Sequence, residues 1–335
     1  MKKFLGMSSV VLLLVMVLCI PHVVEAKTVL LSFTTGSIGG TFYPIGGGIA
    51  NLLVDEFPKQ FDQKIRIASE SSAGSLENVR RVHLGESEMG IVHASDMAQG
   101  YYGRGEFEGD PQTNLRVVAF LYGTVCHLVT LADSEIEKVE DLAGKKVAIG
   151  SVGSGSAVTA ERFFTMLGMW EKIKSEYLPS MDASTKLKDG HIDAYNWCAG
   201  MPAAAVTDTA STHQIRILDY FTPAEQCGYL KEYPFYSKRM VPPGTYKGVD
   251  ESVATIQSAT MWVVNKDFDE DLLYKMLSIV YAEAGLKYLA TVHQAATEMS
   301  MENAVIGAII PMHKGAYKFW QEKGREIPET AQPIE

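Results

Sequence analysis

The chain has 335 residues, of which 47% are hydrophobic and 21% charged, and a formal net charge of −10. Such a composition excludes a disordered polyelectrolyte, and the length suits two domains around a cleft or one large domain. The acidic balance disfavours nucleic acid and anionic membranes as partners, so an anionic ligand needs a local device to hold it.

At the start, Lys2 and Lys3 precede an apolar run from Val10 to Ile20, and Val24-Glu25-Ala26 stands before Lys27. The pattern predicts a secretory signal peptide over residues 1–26, cleaved after Ala26 and too short to span a membrane as a helix. Cys19 invites a lipoprotein reading, but Met16-Val17-Leu18 lacks the small residues expected before such a cysteine. No later apolar run reaches spanning length, so a soluble mature protein without direct membrane insertion is expected.

Thr28 to Phe33 predicts a strand that runs into Thr34-Thr35-Gly36-Ser37-Ile38-Gly39-Gly40-Thr41-Phe42-Tyr43-Pro44, with a helix from about Tyr43. Glycines at a strand-to-helix turn let backbone approach a ligand, and a helix start favours an anion. Ser37, Thr41 and Tyr43 add hydroxyls that orient it; a tight turn with packing glycines is the alternative. The first lysine after these glycines is Lys59, which excludes a Walker A loop.

Gln63 to Ala68 predicts a second strand ending in Ser69 to Ser75. The next helix carries Leu76, Val79, Val82 and His83 or Leu84 on one face, with Ser75 and Asn78 in an N-cap-like arrangement. Glu88 to Val92 predicts a short strand closing on His93-Ala94-Ser95-Asp96. Leu115 to Leu121 and Val125 to Leu131 form a long apolar passage, with Tyr122-Gly123 in its middle, suited to cross between two lobes.

The second half repeats the alternation. Asp141 to Gly150 predicts a turn and strand, Ser151 to Ser156 a loop, and Ala157 to Leu167 a helix. Gly153-Ser154-Gly155 begins like a dinucleotide fingerprint, but Val158 replaces the third glycine, and the strand near Glu176 to Leu178 ends in Pro179 without a ribose-binding carboxylate. A second anion-facing helix start is expected, a plain polar cap being the alternative. Lys186 to Trp197 predicts a helix end, a turn and a strand, with Asn196, Trp197 and Cys198 where that strand meets a loop. Trp197 packs either a ligand or the core, and Pro202 is expected to start a helix. Thr260 to Val264 predicts a return strand, with helices starting at Asp267 to Glu270. Every candidate falls at the carboxyl end of a strand, where ligands of open α/β sheets bind.

Cys126, Cys198 and Cys227 show no C-x-x-C spacing, and buried free thiols are expected rather than a bridge. The histidines form no H-E-x-x-H and no i, i+4 pair, so neither a metal nor another cofactor is expected. Ser154 and Ser156 lie outside any G-x-S-x-G and are tied to no histidine or carboxylate by a known pattern, so the expectation is a protein that is not an enzyme. A secreted enzyme of the same architecture is the minor alternative.

Five segments recur in order: Thr35 to Pro44, Ala73 to Val79, Asp141 to Gly150 with Gly153 to Ser156, Lys188 to Ala194, and Ile310 to Ala316. Together they resemble the TAXI family, the solute-binding proteins of one class of tripartite ATP-independent periplasmic (TRAP) transporters, over nearly the whole mature chain. The resemblance implies an α/β, two-lobed periplasmic-binding-protein fold (type II-like), with a ligand cleft between lobes joined by crossover strands. Lobe 1 is expected to take residues 27–122 plus 255–335, and lobe 2 residues 123–254.

The resemblance further implies a periplasmic monomer that captures a small anionic or zwitterionic solute, such as glutamate, glutamine or a 2-oxoglutarate-like acid. It would hand that solute to a sodium-coupled TRAP permease; a sensing subunit for a membrane kinase would use the same fold. The residues and the resemblance together nominate as ligand-binding Ser37, Gly39, Gly40, Thr41, Phe42, Tyr43, Ser72, Gly74, Ser75, His93, Ser95, Ser154, Gly155, Ser156, Asn196 and Trp197. Two departures stand out: His93-Ala94-Ser95-Asp96 where relatives carry Gln-Ser-Asp, and Tyr122-Gly123-Thr124 where they carry Tyr-Pro-Glu. If His93 lines the cleft, affinity for an acid is expected to rise as pH falls through about 6.5; a histidine behind the wall is the alternative. No arginine lies in the turn motifs, so recognition by helix ends, hydroxyls and backbone N–H groups is expected.

Overall fold

The computed structural model describes residues 28–334, so the expected signal peptide and Cys19 lie outside the described residues. Val29–Thr34 (β1), Phe42–Gln60 (α1), Ile65–Glu70 (β2), Ser75–Leu84 (α2), Met89–His93 (β3) and Ala94–Tyr102 (α3) alternate as the sequence pattern predicts. Leu115–Leu131 (β4) follows as one unbroken strand. Lys146–Gly150 (β5), Gly155–Met166 (α4), Lys174–Tyr177 (β6), Ser180–Lys188 (α5) and Ala194–Ala199 (β7) form a second alternating run. Ala204–Thr212 (α6), Ile215–Ile217 (β8), Phe221–Gln226 (α7), Tyr229–Glu232 (α8) and Ser237–Val241 (β9) come next. Val253–Asn265 (β10) then leads to Glu270–Val280 (α9), Glu283–Val292 (α10) and Lys314–Glu322 (α11).

The ten strands among the described residues share one sheet whose main path runs β2-β1-β3-β10-β4-β7-β5-β6, with β8 on β4 and β9 on β10. Each alternating run supplies parallel pairs, β1 with β2 and β3, and β5 with β6 and β7. Between them, β4 and β10 run antiparallel to each other and to their neighbours. At about 3.3 Å per residue, the 17 residues of β4 span roughly 55 Å, enough to belong to both halves. Leu115 to Tyr122 pack in one core with Phe33, Trp262 and Trp320, whereas Val125 to Val129 pack in two cores built from the second half. The same change of core falls between Ile256 and Met261 on β10.

Local chemistry explains the elements. In α1, Ile45, Ile49, Leu52 and Leu53 recur at helical spacing and are buried. A Cβ on Gly46 would collide with Thr35, so this glycine serves helix-to-strand packing rather than a ligand. Asp269 caps α9 by accepting from the Leu272 N–H at 2.7 Å, which agrees with the helix start expected there.

Several expectations need correcting. The α2 N-cap is Gly74, at φ 128°, where a glycine is favoured. Ser75 is already helical, and Asn78 instead donates to the Thr35 and Ile91 carbonyls at 2.5 and 2.7 Å, tying β1 to β3. Pro202 starts no helix; α6 begins at Ala204, with Ala203 as its cap. Asn196, Trp197 and Cys198 are interior residues of β7, not strand-end residues. Cys126 and Cys198 form a disulfide, leaving Cys227 as the free cysteine among the described residues. The two stand directly opposite each other in the β4–β7 ladder with Cα atoms 3.9 Å apart, a juxtaposition that a separation of 72 residues conceals.

Candidate functional site

Three helix N-termini meet where the halves face each other. The loop after β1 brings Gly36, Ser37, Gly40 and Thr41 to the start of α1, and the loop after β2 brings Ala73 and Gly74 to Ser75 of α2. From the other half, Ser154 caps α4 by accepting from the Ala157 N–H at 3.2 Å, placing Gly155 and Ser156 against the same cleft. Phe42, His93 and Tyr122 line the first half, and Trp197, Cys198 and Ala199 of β7 the second. Unpaired N–H groups at these helix starts favour negative charge. No arginine or lysine lines the cleft among the described residues.

The halves are closed on each other. About 30 Å³ of free space remains in the cleft, close to the share of a single water molecule in the liquid. The Gly200 N–H of the second half donates to Thr41 Oγ1 of the first at 3.0 Å. A Cβ on Gly155 would collide with His93 and come within 2.5 Å of Asp96 Oδ2, so only glycine lets α4 approach this closely. Behind that contact, buried Asp96 faces Arg162 of α4 at 3.7 Å, and Arg162 also donates to Gln99 of α3. The space left is too small for an acid the size of glutamate.

Most polar groups of the lining already have partners. Ser75 Oγ accepts from the His93 N–H at 2.8 Å, and its own proton stays available. Ser156 Oγ donates to the Cys198 carbonyl at 3.3 Å and accepts from the Cys198 N–H at 3.1 Å. Two buried groups differ: the Tyr122 hydroxyl and the Trp197 indole N–H have no hydrogen-bond partner among the described residues. Burial, opposed by the Thr260 hydroxyl nearby, which lies outside hydrogen-bond geometry, holds the Tyr122 phenol well above its ordinary pKa, so it remains protonated and able to donate. Both suit an oxygen-bearing ligand.

His93 is 5% exposed, lines the cleft, and packs edge-on against Phe42 with ring centres 5.2 Å apart. Burial lowers its pKa, opposed by the Asp96 carboxylate whose Oδ2 lies 3.6 Å from Nδ1. The expected titration near 6.5 is thus corrected downward: the ring is neutral at neutral pH.

Of the sequence-nominated residues, Ser37, Gly40, Thr41, Phe42, Gly74, Ser75, His93, Ser154, Gly155, Ser156 and Trp197 line the cleft together. The others sit apart from it. Gly39 abuts Ser180 and Met181 of α5, so it is a contact between the halves. Tyr43 is half-buried in the first turn of α1. Ser72 Oγ is engaged with the Thr35 carbonyl and with Asn78 at 3.2 and 2.7 Å. Ser95 is fully buried beside Asp96, and Asn196 donates to the Ser156 carbonyl at 3.0 Å from behind the wall. Gly36, Ala73, Tyr122, Cys198 and Ala199 were missed as lining residues. Only Tyr122 carried a signal, the Tyr122-Gly123 break inside the long apolar passage.

Comparison with known proteins follows the same outline. The model of the NMT1-like family matches residues 33–324. A solved protein from Bordetella bronchiseptica RB50 superposes with a TM-score of 0.50 at 15% identity, covering 87% of this chain and 88% of that one. MatC from Rhodopseudomonas palustris with bound malate gives 0.49 at 15% identity, covering 80% and 88%. The periplasmic aliphatic sulphonate binding protein SsuA from Escherichia coli gives 0.46 at 14% identity, covering 92% and 90%. The superposition on the Bordetella bronchiseptica protein shows a shared α/β fold, in keeping with the α/β architecture expected. No helix among the described residues is long and apolar enough to cross a membrane.

Proposed function

Because the chain belongs to the NMT1-like family, we propose that it is an extracytoplasmic solute-binding protein that delivers a small solute to a membrane transporter. The observation that carries this reading is the cleft, where three helix N-termini, hydroxyls and two unpartnered donors converge between halves closed on each other. Such a site binds; among its lining residues no nucleophile stands with a base in a catalytic arrangement. With no cationic side chain in the lining, neutral donors and helix ends would hold one carboxylate of an anionic or zwitterionic solute.

The finer reading is a TAXI-type protein that serves a sodium-coupled TRAP permease and takes glutamate, glutamine or a 2-oxoglutarate-like acid. Lobe 1 would comprise residues 27–122 plus 255–335 and lobe 2 residues 123–254, rotating about β4 and β10. Thermal melting against a panel of amino acids, dicarboxylates and oxoacids tests this. A true solute at 100 to 1,000 times its Kd adds roughly 3–4 kcal/mol and raises the midpoint by several degrees. If nothing shifts, even after unfolding and refolding to strip carried-over ligand, the proposal fails.

A further inference from the structure

A second and much larger crevice lies beside the crossing strands, lined by residues of both β4 and β10. Gly123, next to cleft-lining Tyr122 on β4, lines this crevice, where a Cβ on it would meet the Gln257 amide oxygen 2.6 Å away. Its volume is about 590 Å³, within the range of small-molecule sites. Phe235 and Arg239 come from one half, Glu298 and Ile306 from the other, and Phe120 from β4.

Its polar groups are incompletely satisfied. Arg239 donates to Glu298 Oε1 at 3.0 Å, and Glu298 Oε2 accepts from the Gly123 N–H at 2.8 Å. The pair is electrically neutral, so an isolated anion or cation of either sign meets a like charge next to its partner. Among the described residues, Gln257 Oε1 is buried with no donor, and Ser258, 4% exposed, also lines the crevice with its Oγ unpartnered. Buried acceptors left without donors are costly, which is why native proteins rarely keep them unless something supplies the donor.

We propose that this crevice is a second binding site, for a zwitterionic α-amino acid with an apolar side chain. Its ammonium supplies donors to Gln257 Oε1 and Glu298. Its carboxylate takes the remaining guanidinium N–H groups of Arg239, and the apolar side chain lies against Phe120, Phe235 and Ile306. A net-neutral ligand carrying both signs matches a net-neutral pair, as a simple carboxylate does not.

The test is hydrogen–deuterium exchange of the protein with L-leucine or L-phenylalanine at millimolar concentration, and with glycerol as a polyol control. Protection is expected in residues 234–239 and 298–309. It should persist in Gly155→Ala, which impairs the cleft, so the result does not depend on what the cleft binds. Gln257→Leu removes the acceptor at similar volume and is expected to weaken binding about tenfold, with Arg239→Gln as a second variant. The proposal is overturned by protection confined to residues 36–43, 73–75 and 154–156, or by no protection at all. Equal protection by glycerol, or unchanged affinity in both crevice variants, also overturns it.

Discussion

His127 offers a sharp electrostatic test of the second half. It lies on β4, fully buried, opposite Trp197 in the ladder that walls the cleft. The Ala203 N–H donates to the Tyr246 hydroxyl at 2.8 Å, and that hydroxyl contacts His127 Nε2 at 2.9 Å. On the other side, Nδ1 lies 3.3 Å from the Trp197 carbonyl, which can only accept. The relay assigns the proton to Nδ1 and makes Nε2 an acceptor, so protonating Nε2 breaks the bond from Tyr246. Burial depresses the His127 pKa to about 4, from an ordinary 6.5, against the opposing backbone contacts with Trp197 and Val125.

Between those two values the unfolded chain binds a proton that the folded one refuses, so stability is lost as pH falls. At about 1.4 kcal/mol per pKa unit, the loss is about 2 kcal/mol by about pH 5 and about 3 kcal/mol by about pH 4. Urea denaturation of the protein and of His127→Gln, each at neutral pH and at about pH 5, measures it. The variant does not titrate there, so its stability deficit should shrink by about 2 kcal/mol on acidification. Contributions from other groups, His93 included, cancel in that difference. A gap that stays constant would refute both the relay and the depressed pKa.

Four further outcomes are expected. Tyr122→Phe removes a buried, unpartnered hydroxyl, so it should leave stability in urea unchanged while weakening solute binding about tenfold by calorimetry. Arg162→Leu leaves Asp96 buried without its counter-charge and should cost about 3 kcal/mol in urea, part of which Asp96→Asn restores in the double variant. Gly155→Ala should abolish the solute-induced rise in the melting midpoint, because the added Cβ collides with His93 where the halves meet. Cys126→Ser with Cys198→Ser opens a loop of 72 residues and should lower stability by up to about 4 kcal/mol, read by urea denaturation against the oxidised protein.

Loops that build the cleft were legible because their chemistry is local. Glycines, serines and threonines between an apolar strand and an amphipathic helix announce a helix start whatever surrounds them, and so Ser37, Gly40 to Phe42, Gly74, Ser75 and Ser154 to Ser156 could be named. What depended on register was hidden. The Cys126–Cys198 bridge, the inward position of Trp197 and the withdrawn position of Asn196 follow from how β7 pairs with β4, which no spacing within either strand reveals. Ser72 and Ser95 failed for another reason. A hydroxyl beside a ligand loop looks the same in sequence whether it faces the cleft or, like Ser72, is engaged with Asn78. His93 lines the cleft, but the lowering of its pKa was hidden, because burial is a property of the packed halves.

The crossing strands also set an order of assembly. Core residues of β4 wait for partners about two hundred positions later: Trp320 donates to the Val118 carbonyl at 2.8 Å, and Val117 exchanges hydrogen bonds with Pro311 and His313 at 3.1 and 3.0 Å. The strands β5, β6 and β7, by contrast, pair within residues 146–199. A chain emerging from its N-terminus can therefore complete the middle of the molecule before its beginning. The first half stays unfinished until the last helix appears, and contacts this distant in sequence form slowly.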